Sequence, residues 1–522
     1  MGQVTVPGPS GGIAVASDSS QSGTIAQQIA EAIALAQAGS KLNSQLVTGG
    51  ESLAAPITSG GTENDAILGG VVGAVTVPAG YQFVVNEASA PATITASNAT
   101  LLSGTVGGTF FLTGASTLDA GGGNNWAHVD GSNYQMYAGS GDDTLLASGA
   151  GTVAAGGGLN TIVSGSSSVA GVSSGNLIVS TGQDVIFARA VADTVQSSGD
   201  KTLLFGGGNV NASLSGANDT IVAGGGADTI QASGDSALVF GDLSGANTPM
   251  NTEVSGANAT VVAGYGTSNA TASGSNGLIG GTSGRFNVVD TGTNTTIIGS
   301  TGASTVTASG HGLLFGAQSG DLVFYGGAAS ATVFGSAGSS ETLFGAAGGI
   351  EYDNMDANAT VVGGSGVSTL FGAPGGTITY VGSTGGAQFQ ALEGNVTFNA
   401  SGSSSDNLIV GGRDPNGADS LVGGAGKDTL MAGSGADTLT GGGGNDLFVF
   451  FRNMTGGNTD TITDFTQNDS LLLSGYGTTV TQTLSTAVHS GGNTTVTLSD
   501  NTRITFVGVS DLNALAGHIS ST

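Results

Sequence analysis

The stretch GGAGKDTLMAGSGADTLTGGGGNDLFV, from Gly423 to Val449, consists of three nine-residue units in succession. Each unit carries Asp at its sixth position and Leu or Phe at its eighth. The aspartates are Asp428, Asp437 and Asp446, and glycines fill the turn positions before them, at Gly424, Gly426, Gly433, Gly435, Gly442 and Gly444. Glycine permits positive φ angles and lets the backbone approach a neighbouring group closely. The spacing therefore predicts a coil of short strands and tight turns, with one carboxylate in each turn.

The residue types in these turns suit a hard cation. Proteins bind calcium with carboxylate and backbone carbonyl oxygens, and a turn made of Gly and Asp offers both. We therefore predict calcium sites formed by the three aspartates and the six glycines of the repeat. Two aspartates just upstream, Asp406 and Asp419, lie in similar turns and are predicted to belong to the same set.

The repeat resembles the repeats-in-toxin (RTX) family of proteins that are exported by type I secretion. The resemblance is strong over the last third of the chain and diffuse in the middle. It implies a calcium-binding β-roll and export from a Gram-negative bacterium, with the type I secretion channel as a partner during export. Similarity to bacterial surface-layer and matrix proteins implies a location outside the cell or on its surface.

The last part of the chain, residues 450–522, resembles the C-terminal secretion domain that follows calcium repeats in this family. The segment TDTITDFTQNDSLLLSGYG, residues 459–477, contains Asp460, Asp464 and Asp469 in an acidic turn region. A second segment, residues 496–515, contains Ser499-Asp500-Asn501-Thr502, which predicts a hairpin turn between two strands.

The same nine-residue period occurs in the middle of the chain. Residues 120–146 form three units in phase, and residues 214–231 form two. Their sixth positions supply the further candidate ligands Asp143, Asp219 and Asp228. Elsewhere the sixth position holds Asn125, Tyr134 or Asn160, and we expect those turns to bind metal weakly or to close without it.

Six aliphatic-Phe-Gly triplets occur between residues 200 and 375, centred on Phe205, Phe240, Phe315, Phe334, Phe344 and Phe371. Several are ten or twenty residues apart, as half or whole coils of a β-solenoid would be. We interpret the phenylalanines as a stacked ladder inside the solenoid, in preference to an aromatic binding face outside it.

The N-terminal segment predicts the one substantial helix of the chain. Residues 1–23 are rich in Gly, Pro and Ser and are expected to be extended. Thr24 to Gln27 has the form of a capping box, and Ile25, Ile29, Ile33 and Ala36 follow at helical spacing, with Gly39 as the C-terminal cap. Terminal coils of a solenoid need covering, so this helix is predicted to cap it. An anchor or a subunit contact is the alternative.

Composition narrows the possible partners. The chain has 8 basic and 36 acidic residues, a formal charge of −28, and no cysteine. Nucleic acid and anionic membranes are therefore expected to be poor partners, while divalent cations would offset the self-repulsion. Without disulfides, stability must come from metal and stacking. No apolar stretch is long enough to span a membrane, and the residue pattern of the front end leads us to expect no cleavable signal peptide there.

No catalytic motif is evident. The histidines, His128, His311, His489 and His518, are far apart and form no HExxH pattern. A polysaccharide lyase or epimerase would need clustered cations, whereas the solenoid offers only the scattered Arg189, Lys201 and Arg285.

We therefore predict an all-β protein, a parallel β-solenoid with a short N-terminal helical segment and a β-rich secretion domain. Its expected parts are a cap or anchor (1–51), a β module (52–118), a Gly-rich solenoid (119–404), an RTX β-roll (405–449) and a secretion domain (450–522). The predicted function is that of a secreted, calcium-stabilised structural protein without enzymatic activity. Its main partner would be itself, and cell-surface polysaccharide is a possible second partner. The alternatives are a monomeric adhesin, whose binding domain would be 52–118, and a polysaccharide-modifying enzyme.

Overall fold

The structure is a computed structural model. It describes residues 2–9, 11–17, 21–156, 158–171, 175–188, 192–245, 247–310, 313–316, 318–382, 384–454 and 456–522. The chain divides into two compact units, Met1–Gly266 and Thr267–Thr522. Each unit is built almost entirely from short β-strands.

Unit 1, Met1–Gly266, contains one helix, α1 (Gln21–Ala38). Its strands are β1 Gly2–Gly8, β2 Gly11–Ser17, β3 Leu42–Val47, β4 Glu63–Gly70, β5 Ala74–Thr76, β6 Phe83–Ala88, β7 Ala92–Ser97, β8 Thr100–Ser103, β9 Gly108–Thr113, β10 Thr117–Asp119, β11 Trp126–Asp130, β12 Tyr134–Tyr137, β13 Thr144–Ala155, β14 Thr161–Gly171, β15 Leu177–Ser180, β16 Val185–Ala188, β17 Asp193–Ser197, β18 Leu203–Gly206, β19 Val210–Leu214, β20 Thr220–Val222, β21 Asp228–Ala232, β22 Leu238–Phe240, β23 Met250–Val254 and β24 Thr260–Val262.

Parallel pairing begins with β3 and β4, and from β4 onward a strand typically pairs with the strand two places ahead. One coil therefore contains two strands, one in each of two parallel sheets. The strands within 52–118 already follow this arrangement, as in β5 with β7 and β7 with β9. The longer strands β13 and β14 run side by side along most of their lengths, with a register shift between Ala147 and Ala150.

Alternation along each strand decides which side chains form the core of unit 1. In β17, for example, Asp193, Val195 and Ser197 are buried, whereas Thr194 and Gln196 face outward. Inward residues of successive coils lie in register, as Ile162, Ile178 and Val195 do, and all three are fully buried. The core is therefore a stack of thin layers, one per coil.

The N-terminal segment differs in part from the prediction. Residues 2–8 and 11–17 are not simply extended, because β1 and β2 pair in antiparallel orientation. Helix α1 begins at Gln21, so Thr24 lies inside it and does not cap it. Its end at Ala38 agrees with the predicted cap, since Gly39 N–H donates to Leu35 O at 3.0 Å.

Helix α1 covers the first coils of unit 1, as a cap would. Its side chains Ala26, Ile29, Ala30, Ile33 and Ala36 pack in one apolar cluster with residues of the hairpin and of the solenoid strands, namely Val6, Val15, Ile67, Phe83, Val85 and Leu102. The apolar stripe of the helix is therefore buried against the fold to which it belongs.

Unit 2, Thr267–Thr522, has the same parallel architecture. Its strands are β25 Ser268–Ala272, β26 Leu278–Gly280, β27 Phe286–Asp290, β28 Thr296–Ile298, β29 Ser304–Ala308, β30 Leu313–Gly316, β31 Leu322–Tyr325, β32 Ala331–Phe334, β33 Ser340–Phe344, β34 Ile350–Asp353, β35 Asn358–Val362, β36 Ser368–Gly372, β37 Thr377–Val381, β38 Ala387–Ala391, β39 Thr397–Asn399, β40 Leu408–Val410, β41 Ser420–Gly424, β42 Thr429–Met431, β43 Thr438–Gly442, β44 Leu447–Phe451, β45 Thr459–Ile462, β46 Ser470–Ser474, β47 Val488–Ser490, β48 Asn493–Thr497, β49 Arg503–Phe506 and β50 Ile519–Ser521. A short helix α2, Val480–Leu484, and a 3-10 helix, Leu512–His518, lie among the last strands.

The final strands continue the solenoid and then close it with a hairpin. Strands β45 and β46 pair in parallel with β49 and β50. Strands β48 and β49 are antiparallel, and the turn between them contains Asn501 at φ 70° and a hydrogen bond of 3.0 Å from Thr502 N–H to Asp500 Oδ1. The predicted hairpin turn at 499–502 is confirmed.

The prediction of an internal phenylalanine ladder is wrong for five of the six triplets. Leu204, Val239, Val333, Leu343 and Leu370 are fully buried, and the phenylalanines that follow them are partly or fully exposed. Only Phe315 points inward, where it contacts Phe324 at a ring distance of 6.5 Å. Two adjacent apolar residues in a strand point to opposite faces, so the triplet alone does not decide which one enters the core.

Candidate metal sites in the turns

Side chains of unit 2, all acidic except that of Asn407, lie in two ladders at the points where turns lead into strands. The first ladder contains Asp419, Asp437 and Asp460, and the second contains Asn407, Asp428, Asp446 and Asp469. In each ladder, a side-chain oxygen accepts the backbone N–H of the member one coil earlier. The two ladders arise because residues nine apart start strands of different sheets, whereas residues one full coil apart stack.

The distances define the first ladder closely. Asp419 N–H donates to Asp437 Oδ1 at 3.0 Å, 18 residues on, and Asp437 N–H donates to Asp460 Oδ1 at 3.0 Å, 23 residues on. The other oxygens of the first two members also accept backbone donors, with Gly412 N at 2.7 Å from Asp419 Oδ2 and Gly433 N at 2.9 Å from Asp437 Oδ2. The carboxylates are therefore held rigidly at the edge of the solenoid.

The second ladder has the same form. Asp428 N–H donates to Asp446 Oδ1 at 2.9 Å, and Asp446 N–H donates to Asp469 Oδ1 at 3.0 Å. Asn407 stands at its start and donates both its N–H and its Nδ2 to Asp428 Oδ1, each at 2.8 Å. Across the two ladders, the oxygens Asp428 Oδ2 and Asp460 Oδ2 are buried without a hydrogen-bond partner among the described residues.

Burial and stacking of these carboxylates at the edge of the solenoid disfavour their charged form. The pKa of Asp437 is raised to about 6, mainly by burial; the hydrogen bond from the Asp419 N–H opposes this rise and the charge of Asp419 adds to it. Burial likewise raises the pKa of Asp446 to about 6, with contributions from the charges of Asp428 and Asp469. Asp460 is raised most, to a pKa of about 8, mainly by burial. A cation between the turns would remove this cost.

The six predicted glycines allow the turns to stack. Only Gly435, Gly442 and Gly444 have positive φ angles, of 117°, 95° and 129°. At all six positions, however, a β-carbon would overlap a backbone carbonyl oxygen of the turn one coil earlier, at Ser403, Ser405, Gly412, Gly417, Gly424 and Gly426. Close approach is therefore the shared requirement, and it brings rows of carbonyl oxygens beside the carboxylate ladders.

The carboxylate and carbonyl oxygens of these turns are suitable ligands for calcium. The described residues contain no group of three or more His, Asp or Glu side chains arranged around one point. A cation here would therefore combine one or two carboxylates with backbone carbonyl oxygens, which is an oxygen set that Ca²⁺ accepts. The buried oxygens of Asp428 and Asp460 that lack a partner are consistent with this use.

One predicted ligand lies apart from the ladders. The Asp406 side chain is exposed and accepts the Lys427 N–H at 2.7 Å, while the adjacent Asn407 occupies the ladder position. Conversely, Asn407, Asp460 and Asp469 are ladder members that were not among the predicted ligands. Asp460 and Asp469 were missed because the nine-residue period does not continue past Asp446. The half-coil between Asp446 and Asp460 is longer than nine residues.

Asp464, in the loop that follows β45, also contacts a turn of the last repeat. Asp464 accepts two adjacent backbone donors, Gly441 N–H at 2.9 Å and Gly442 N–H at 2.8 Å. Through Asp464, the acidic segment 459–477 is therefore hydrogen-bonded to the last repeat turn.

In unit 1 several ladder positions hold an amide where unit 2 has an acid. Asn125 donates its N–H at 2.8 Å and its Nδ2 at 2.9 Å to Asp143 Oδ1, and Asn125 Nδ2 also donates to Gly123 O at 2.9 Å. Asn160 Nδ2 likewise donates to Asn176 Oδ1 at 3.0 Å and to Gly158 O at 3.3 Å. The amide of each Asn thus links a side-chain oxygen to a turn carbonyl.

The remaining predicted ligands of unit 1, Asp219 and Asp228, lie on opposite edges of one coil. Asp219 Oδ1 accepts Thr202 N–H at 2.7 Å, and Asp228 Oδ1 accepts Val210 N–H at 2.8 Å. Burial raises the pKa of both to about 6. Being nine apart, they do not converge, so each would serve a different site.

Of the cations considered for catalysis in the solenoid, the structure describes Lys201 and Arg285. Lys201 and Arg285 are exposed and belong to different units. Arg189 and His311 lie outside the described residues. Among the described residues, no helix is both long and apolar enough to cross a membrane.

Comparison with protein families gives one match. The RTX calcium-binding nonapeptide repeat matches in 4 copies, over residues 112–145, 215–242 and 416–448. These stretches contain the ladder residues Asp143, Asp219, Asp228, Asp428 and Asp437. No curated protein matches the chain. The repeat match together with the parallel solenoid confirms the RTX β-roll prediction and indicates Ca²⁺ as the bound ion.

Proposed function

We propose that this chain, a β-solenoid protein with RTX calcium-binding repeats, is a secreted structural protein that calcium folds and that self-assembles at the cell surface or in the extracellular matrix. The observation that carries the proposal is the pair of carboxylate ladders. Buried stacked acids without a cation weaken the fold, so rigidity would be acquired where calcium is abundant. A repetitive solenoid is suited to a structural role.

A monomeric adhesin is the second candidate. It would need a compact non-repetitive binding domain, for which residues 52–118 were the only candidate. The strands of that segment pair in parallel two places apart, as those of the solenoid do. This arrangement supports a structural role for the segment and favours self-assembly over adhesion.

The experiment compares the full-length protein in millimolar calcium and in excess chelator. We expect particles that grow with protein concentration in calcium, seen by light scattering, and ordered sheets or filaments by electron microscopy. Chelator should disperse them. A protein that remains monomeric in millimolar calcium at high concentration, and that binds a glycan array, would favour the adhesin instead.

Export is tested separately. We propose that residues 450–522 direct secretion through a type I channel, on the basis of their resemblance to a family secretion domain. Deleting them should leave the protein inside the cells. Because β45, β46, β49 and β50 also continue the solenoid, the same segment fused to an unrelated small protein serves as the second arm. Failure of that fusion to leave the cell would contradict the proposal.

A further inference from the structure

One outer face of unit 1 is apolar although it is turned toward solvent. It is formed by β16, β18, β20, β22 and β24, whose outward residues lie in two adjacent rows. The first row is Val185, Leu203, Thr220, Leu238 and Thr260, and the second is Phe187, Phe205, Val222, Phe240 and Val262. Eight of these ten residues are apolar, and none can ionise.

Every side chain of this face is partly exposed. The inward residues of the same strands, such as Ile186, Leu204 and Val239, are already fully buried in the core. These strands are therefore apolar on both sides, which is typical of sheets that are covered on both sides. The rings of Phe187 and Phe205 stack at 5.2 Å with an angle of 11° between their planes, so part of the face is flat.

The other sheet of the same coils is different. Its outward residues in β19, β21 and β23 are Asn211, Ser213, Thr229, Gln231, Asn251 and Glu253, all polar and all exposed. The apolar face is thus a property of one sheet and not of the composition of unit 1.

We propose that the face formed by these two rows, here called the apolar face, is the surface on which a second copy of this chain docks. The inference rests on the proposed self-assembly and names its contact surface. Two copies that each carry a formal charge of −28 repel one another. Contact is least unfavourable where neither surface carries charge, and the apolar face meets this condition over five strands. Two such sheets can pack face to face at about 10 Å, as sheets in sandwiches do.

The size of the apolar face determines the kind of association. Five strands spaced about 4.8 Å apart span roughly 19 Å, so two rows of side chains cover on the order of 200–300 Å². A stable isolated pair buries about 800 Å² on each partner. One such contact is therefore weak and reversible, which suits a contact repeated many times in an assembly.

Unit 2 carries an uncharged outer face of its own. A row of Val289, Thr307, Tyr325, Phe344, Val362 and Val381 lies in register beside Asn287, Thr305, Val323, Thr342, Thr360 and Thr379. Tyr325 and Phe344 stack at 5.0 Å. A second face gives each copy a second contact, which growth beyond a pair requires.

The test places charge on the apolar face. The variant carries Phe205→Lys and Phe240→Lys, and the matched control carries Asn211→Lys and Thr229→Lys on the polar sheet, so that net charge is equal. A third protein, with Phe205→Thr and Phe240→Thr, removes the rings without adding charge. All are full-length, and circular dichroism in millimolar calcium establishes that each is folded.

Association is measured by sedimentation velocity over a concentration series in calcium. We expect the Lys pair on the apolar face to raise the concentration at half-association by about tenfold or more, the Thr pair to raise it less, and the control to resemble wild type. Wild-type-like assembly of the folded Lys and Thr variants would overturn this inference and leave the proposed function standing. A wild type that never associates would contradict the proposed function itself. Wild type that stays monomeric but binds neutral phosphatidylcholine vesicles through the two phenylalanines would overturn the second-copy assignment in favour of a lipid surface.

Discussion

At the scale of single residues, the choice between Asp and Asn at a ladder position decides how a turn closes. Asn407 Nδ2 donates to Asp428 Oδ1 at 2.8 Å and to Ser405 O at 2.9 Å. The amide group therefore joins the two kinds of oxygen that a calcium ion would otherwise join. An Asp at the same position brings a second negative charge and leaves the junction to a cation.

The substitution Asp428→Asn tests this directly. The new amide can donate to Asp446 Oδ1 and to its own turn, as Asn407 does one coil earlier. In chelator we expect the variant to be more stable than wild type by about 1 kcal/mol, because a buried charge is replaced by a hydrogen bond. In calcium we expect the order to reverse. Thermal melting under both conditions measures the stability, and isothermal titration counts the ions.

Asp428→Ala serves as the control for that variant. It removes the acceptor of the Asn407 N–H and offers no donor in return, so it should be less stable than Asp428→Asn with and without calcium. An Asp428→Asn protein that binds as many ions as wild type, with unchanged calcium stabilisation, would contradict the role of this carboxylate.

The raised pKa values predict opposite pH trends for the two forms. In metal-free protein, burial raises the pKa of Asp437 and of Asp446 from the ordinary 3.8 to about 6. The folded state therefore holds protons that the unfolded state has released. The stability that these groups contribute is full below about pH 4 and is lost as pH rises through 6.

Calcium reverses this trend, because the ion binds only the deprotonated carboxylates. Chelated protein should melt at a higher temperature at pH 5 than at pH 7.5, whereas protein in millimolar calcium should melt at a higher temperature at pH 7.5. Melting curves at both pH values, with and without chelator, check the prediction. Parallel trends in the two forms would show that the ladders are not the groups that titrate.

At the scale of elements, the choice of residue in each turn is constrained by close contact with the turn one coil earlier. Gly442 has φ 95°, and a β-carbon there would overlap Gly424 O. Its neighbour Gly443 has no positive φ, and a β-carbon there would lie 3.8 Å from Ala425 Cα, an ordinary contact. Two adjacent glycines in one turn therefore differ completely in their tolerance of a side chain.

We expect Gly442→Ala to destabilise the β-roll by more than about 1 kcal/mol, through both strain and overlap. Gly443→Ala should change the stability little, or raise it slightly by restricting the unfolded chain. Urea unfolding in calcium measures both variants. Equal effects of the two substitutions would mean that the close stacking of turns is not what requires glycine.

Helix α1 is the other element whose role the structure clarifies. Ile33 is 0 % exposed in the cluster beneath the helix, whereas Leu35 is 74 % exposed. Ile33→Ala should cost about 2–5 kcal/mol where the helix meets the first coils, and Leu35→Ala should cost almost nothing. Hydrogen exchange of β4 and β6 reports the loss of protection. If Leu35→Ala alone impaired assembly without loosening these strands, the helix would be a subunit contact as well as a cap.

At the scale of the whole molecule, carboxylate ladders and amide-linked turns are unevenly distributed. Asp follows Asp in the ladders of unit 2 from Asp419 and Asp428 onward. Between Asn125 and Asn176 in unit 1, by contrast, only Asp143 interrupts a run of amides. Dependence on calcium should therefore differ along the chain.

Chelation is expected to unfold the β-roll first. Hydrogen exchange followed by mass spectrometry should show loss of protection over residues 405–470, while β13, β14 and β15 stay protected. Each ion that binds only the folded turn contributes on the order of 1–3 kcal/mol by mass action, and several sites add. A uniform loss of protection in both units, or none at all, would contradict this division.

The sequence alone determined the repeated coil and its metal chemistry. The spacing of Gly and Asp from Gly423 to Val449 encodes a turn that is completed within nine residues, and so it can be read locally. The apolar stripe of helix α1 can be read locally as well, because Ile29, Ile33 and Ala36 recur about once per helical turn. The oxygen-rich residue types then indicated calcium without any knowledge of distances.

Tertiary structure alone decided which of these residues meet. Asp428 faces Asp446 and not Asp437, because a coil has two sheets and stacking joins residues a whole coil apart. Asp460 joins Asp437 although 23 residues separate them, because the ladder hydrogen bond forms between adjacent coils even where the coil is longer than 18 residues. The phenylalanines of five triplets face outward because only the register against neighbouring coils fixes which of two adjacent apolar side chains enters the core. Such choices depend on contacts between neighbouring coils, whose residues are well separated in the sequence, and local spacing carries no information about them.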